Sequence, residues 1–160
     1  MNHSRGFTLV ELVMTIMIMG ILAAVVGPRF FDRQVFDERM FFEEALSAVR
    51  YAQKLALASG CPVRAVVDGT GFSVAYAAAC GPGIAGGTLV NDGSGNPYQM
   101  ARPDNVSVTG SLAATFNSLG CVAAASPVSA CDETAAPLQV GVGSLSLRVQ
   151  RATGLIEVVP

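Results

Sequence analysis

Glu11 is the single charge in the 20 residues from Phe7 to Val26. A carboxylate in so apolar a run is costly and calls for a cationic partner. The chemistry it offers is therefore charge pairing. The second reactive set is four cysteines, Cys61, Cys80, Cys121 and Cys131, all beyond the apolar run. They allow three pairings. Cys61 with Cys80 and Cys121 with Cys131 is the favoured one, because each pair brackets one local loop; no two cysteines have the close spacing of a zinc knuckle. The only histidine is His3. Beyond the first few residues there is thus no self-contained serine–histidine, cysteine–histidine or histidine–metal site.

Other candidates are weaker. Gly81-Pro82-Gly83-Ile84-Ala85-Gly86 spells G-x-G-x-x-G, but a Gly-Gly and a polar loop follow where a dinucleotide site needs a helix. Asp92, Ser94 and Asn96 alternate oxygen atoms as calcium loops do, without the downstream glutamate, so turn chemistry is expected there. Arg148 and Arg151, with Arg64 and Arg102, are candidates for a basic patch. After Gly6, however, nine arginines and lysines face twelve acidic residues, and useful phosphate binding takes several cations. Nucleic acid is not an expected partner. Asp132-Glu133 is the only acidic pair in the strand-rich region, and neighbours on a strand point to opposite faces. Asn105-Val106-Ser107 fits the glycosylation pattern at the level of chance. No catalytic residue, no metal and no cofactor is expected, and the chain is not expected to be an enzyme.

These residues must be positioned by a helix first and by strands afterwards. Twenty residues at about 1.5 Å each span about 30 Å, the thickness of a bilayer core. The polar piece 1–6 precedes the apolar run directly, which suits its removal as a leader with the run retained. Arg5 predicts that the short N-terminal side is cytoplasmic and the rest lies outside, in the periplasm of a Gram-negative cell, where disulfides form. Gly27-Pro28 predicts a kink. From Arg29 to Ser59 the helical pattern resumes, with Phe31, Val35, Phe42, Ala45, Val49, Ala52 and Ala56 as its apolar face. Arg33–Asp37 and Arg39–Glu43 add i,i+4 pairs. Phe30, Phe31, Phe36, Phe41 and Phe42 exceed what one face needs, so some are expected on neighbouring subunits or at the membrane surface. Gly60 and Pro62 end the helix.

Beyond Cys61 the period becomes two. Val63–Val67 and Phe72–Tyr76 predict a hairpin about Asp68-Gly69-Thr70-Gly71. Residues 80–97 and 121–137 predict long loops. Short strands are expected at Val106–Val108 and Ala114–Phe116, and a final hairpin pairs Leu145–Val149 with Leu155–Val159. The fold class is α+β: a long N-terminal helix, first half transmembrane, packed on an antiparallel β-sheet domain.

Gly6-Phe7-Thr8-Leu9-Val10-Glu11 resembles the class III signal of type IV prepilins and type II secretion pseudopilins. That resemblance implies a type IV pilin-like fold and cleavage between Gly6 and Phe7 by a prepilin peptidase that also N-methylates Phe7. It further implies an assembly role for Glu11, which would meet the Phe7 amine. The boundaries become a leader at 1–6, an assembly helix at 7–28, its amphipathic continuation at 29–60 and a periplasmic β-domain at 61–160. Tyr51-Ala52-Gln53-Lys54-Leu55-Ala56, Gly60-Cys61-Pro62-Val63, Thr115-Phe116-Asn117-Ser118-Leu119-Gly120 and the Thr153-Gly154 hairpin resemble the GspH/FimT class of minor pilins and pseudopilins. Pro28-Arg29-Phe30-Phe31-Asp32 and Val49–Lys54 are most similar to the MshC minor pilins of the mannose-sensitive haemagglutinin (MSHA) pilus. The implied partners are prepilin peptidase, other major and minor pilins met through the helix, and an inner-membrane assembly platform with its ATPase. The implied role is low-copy incorporation near a filament tip or the start of assembly, with adhesion, type II secretion or DNA uptake as related uses.

Overall fold

The computed structural model describes residues 7–30, 33–133 and 136–160, and for 25–30 only the course of the backbone. Gly6 with the leader 1–6, and the side chains of Phe30 and Phe31, lie outside the described residues. The chain divides into two compact units, Met1–Arg33 and Gln34–Pro160.

In the first unit, α1 (Leu9–Phe30) starts at Thr8. The Thr8 hydroxyl accepts the Glu11 N–H at 3.3 Å, and the Thr8 carbonyl accepts the Leu12 N–H at 3.2 Å. Threonine at the cap with glutamate three residues on is the capping-box pairing of types. Gly27-Pro28, where a kink is expected, lies inside α1, which runs on to Phe30. Among the described residues no helix is long and apolar enough to cross a membrane.

In the second unit, α2 (Arg33–Ser59) buries Phe41, Phe42, Ala45, Leu46, Ala48, Val49, Ala52 and Ala56. Gly60 ends the helix: its N–H donates to the Ala56 carbonyl at 3.0 Å and its φ is 73°, a left-handed turn glycine adopts without strain. The face differs from the expected one at its start. Val35 is 58 % exposed, because the first turns of α2 present polar groups to the domain: Asn105 donates to Asp37 at 2.6 Å and Ser107 to Glu38 at 3.1 Å. The expected Arg33–Asp37 and Arg39–Glu43 pairs do not close, the ion pair seen among the described residues being Arg151–Asp132. Phe41 and Phe42 are core, whereas Phe36 is 69 % exposed.

The strands are β1 (Val63–Asp68), β2 (Gly71–Tyr76), β3 (Gln99–Ala101), β4 (Val108–Gly110), β5 (Leu112–Phe116), β6 (Leu138–Val142), β7 (Leu145–Val149) and β8 (Ile156–Val159). They form two antiparallel four-stranded sheets, ordered β3-β2-β1-β5 and β4-β6-β7-β8. Val63, Ala65, Val67, Val74, Leu112, Ala114 and Phe116 of the first sheet and Val140, Val142, Leu147 and Val149 of the second join the α2 face in one core. Both expected hairpins form, β1 with β2 and β7 with β8. At the first turn, Asp68 accepts the Thr70 hydroxyl at 2.6 Å and the Thr70 N–H at 2.8 Å. Those bonds favour the charged form and hold the Asp68 carboxyl below its usual range. β3 and β6 fall outside the expected strands, and the Val106–Val108 strand is displaced to β4, leaving Val106 to plug the core from a loop at 1 % exposure.

Candidate functional site

The apolar helix carries the N-terminal chemistry. Glu11 lies in the first turn of α1, where the helix dipole favours a carboxylate. Phe7, Leu9, Val10, Leu12, Val13, Met14, Ile16, Met17, Ile18, Met19, Ile21 and Leu22 are each between 45 and 78 % exposed, so α1 from Leu9 to Ala24 is apolar on every side and uncovered. Water does not tolerate such a surface; lipid or other chains must cover it. Thr15, the one polar residue between Leu12 and Ala24, returns its hydroxyl to the Leu12 carbonyl at 2.8 Å, leaving that donor satisfied inside the helix.

In the second unit the cysteines are joined as Cys61–Cys80 and Cys121–Cys131, with Cα separations of 5.8 and 5.5 Å. Asn117, 2 % exposed, organises the second loop. Its amide donates to the carbonyls of Ser129 at 3.2 Å and Ala130 at 3.1 Å, and its oxygen accepts the Leu119 N–H at 3.0 Å. Rings fix the end of the first loop: Tyr98 stacks edge-on to Tyr51 of α2 at 5.2 Å and to Phe72 of β2 at 6.0 Å.

The four arginines do not assemble into one free patch. Arg151 is bonded to Asp132 at 2.8 Å and to the Ala136 carbonyl at 2.8 Å. Arg102 is spent on backbone carbonyls, reaching Gly69 at 2.7 Å and also Val106. Arg148 lies opposite Glu157 in the β7–β8 register, and Arg64 stands exposed on β1. Asp92 accepts the N–H groups of Ser94 at 2.8 Å and Asn96 at 2.9 Å, which is turn chemistry. Gly81–Gly86 belongs to a loop without the flanking strand and helix of a phosphate site. Among the described residues no cluster of three histidine, cysteine or carboxylate groups is placed to hold a metal.

Residues 1–27 match the prokaryotic N-terminal methylation motif. The methylation motif supports a type IV pilin- or pseudopilin-like protein, with processing by prepilin peptidase and assembly with other pilins. It also supports inner-membrane anchoring before assembly, which fits the uncovered α1. No curated protein and no solved structure matches the chain.

One positioning residue escaped the sequence reading. Gln53 donates from Nε2 to the carbonyls of both Gly120 at 2.7 Å and Gly154 at 2.8 Å, tying α2 to the turns after β5 and β7. The stretches containing Gln53, Gly120 and Gly154 were legible as a resemblance, but the single amide joining them was not.

Proposed function

We propose that the chain is a minor type IV pilin, a low-copy structural subunit of an MSHA-like pilus that helps start assembly. The observation that carries this reading is α1, apolar on all sides from Leu9 to Ala24 with its one carboxylate in the first turn, inside a methylation motif. In this reading prepilin peptidase cuts between Gly6 and Phe7 and methylates Phe7. The mature chain then waits in the inner membrane, with residues 7–28 spanning it and the disulfide-bonded domain in the periplasm. An assembly platform driven by its ATPase lifts the helix from lipid into a bundle of other pilin helices. Exchange of lipid for protein contact changes little hydrophobic energy, so specific pairing must select the partners. Glu11 supplies it by meeting the Phe7 amine of a neighbour. A type II secretion pseudopilin would use the same parts.

The capping geometry sharpens the test. Glutamine serves a capping box as well as glutamate does but carries no charge. Glu11→Gln is therefore expected to leave protein level and processing intact while lowering the filament-associated fraction by about tenfold or more, the usual scale for losing one partner of a desolvated charge pair. Immunoblots of sheared filaments against whole cells read this out. Unchanged incorporation of Glu11→Gln would sink the pairing role and leave Glu11 as a helix cap.

A further inference from the structure

β8 is the terminal strand of the second sheet. Among the described residues its backbone forms no hydrogen bond beyond the ladder to β7. The chain leading into it borders a shallow cleft of about 790 Å³, with Thr153, Leu155 and Ile156 on one wall and Arg50, Gln53 and Lys54 of α2 on the other. Arg50 and Lys54 are exposed, four residues apart on one helix face, and neither forms an ion pair among the described residues. Like charges at that spacing oppose each other and weaken a helix. Among the described residues no carboxylate lies within ion-pair distance of either cation, and the Gln53 amide nitrogen between them is committed to the Gly120 and Gly154 carbonyls.

We propose that this cleft binds an extended acidic polypeptide segment of a partner protein, which adds to β8 as a fifth strand. An open strand edge supplies main-chain donors and acceptors to such a segment. Side chains alternate across a strand, so every second residue of the guest would face Arg50 and Lys54, and acidic residues at those positions would neutralise both cations. The surface belongs to the 34–160 unit and is independent of the N-terminal reading.

The probe is an end-capped fluorescent hexapeptide of alternating aspartate and valine, titrated by anisotropy against the full chain in detergent micelles. Saturable binding with Kd below about 1 mM is expected. Affinity should fall about tenfold in the Arg50→Glu/Lys54→Glu variant and in the milder Arg50→Gln/Lys54→Gln one. A peptide N-methylated on alternate backbone nitrogens, which keeps its charge but blocks strand pairing, should bind about tenfold more weakly to the unaltered chain. Absence of binding would overturn the proposal. So would equal binding of a lysine–valine peptide, equal binding of the N-methylated peptide, or displacement by a single-stranded oligonucleotide at matched charge.

Discussion

Removal of both disulfides is expected to lower the stability of the 34–160 unit by about 6 kcal/mol. The bridges close loops with sequence separations of 19 and 10, and the chain-entropy estimate is about 3 kcal/mol for each. Small domains have only about 5–15 kcal/mol in total, so the doubly reduced domain should be near the edge of folding. The two bridges differ in what backs them up. Cys121–Cys131 closes a loop also held by Asn117, by the Arg151–Asp132 pair and by the Ala123–Cys131 bridge. Cys61–Cys80 ties the loop after β2 to the start of β1, with the Ala77 N–H on the Pro62 carbonyl at 2.8 Å alongside. Urea titration of the four-serine variant against the oxidised chain measures the loss. A difference below about 1 kcal/mol would mean that the core alone defines the fold.

Gly154→Ala is the second large effect expected, at about 3 kcal/mol. Gly154 has a φ of 67°, a region where a side chain is strained. A Cβ there would also run into the Gly120 carbonyl oxygen and lie 2.6 Å from Gln53 Nε2. The substitution thus strains the turn before β8 and disturbs the amide that holds two turns on α2. The same urea titration reports it. A loss below about 0.5 kcal/mol would show that the turn can slide off α2 at little cost. Since this turn also lines the Arg50–Lys54 cleft, peptide binding should weaken along with stability.

Where one physical signal dominated, the sequence was easy to read. The three-four spacing of Phe42, Ala45, Val49, Ala52 and Ala56 marked the buried face of α2, and Gly60 marked its end. Asp68-Gly69 between alternating residues marked the first hairpin. Val35 obeys the same spacing yet is exposed, because Asn105 and Ser107, distant in sequence, draw Asp37 and Glu38 toward the domain instead. Spacing cannot report a partner some seventy residues away. β6 was hidden by Gly141, which breaks the alternation because a side chain there would meet the Thr109 hydroxyl across the ladder. β3 is only three residues long, too short for any period. The division of the strands into two sheets depends on pairings across the chain that local pattern does not encode. At the N-terminus the reverse holds: Thr8 three residues before Glu11 spells the cap directly, and the charge reading of Glu11 alone had left it unused.

Intact mass of the membrane-extracted chain, before and after reduction, from cells with and without prepilin peptidase, is the most direct measurement. The expected mass begins at Phe7 and carries one added methyl group, with four hydrogens gained on reduction of the two disulfides. In cells lacking the peptidase the mass should begin at Met1. A chain that still begins at Met1 when the peptidase is present would contradict pilin processing and leave Glu11 in a plain membrane anchor.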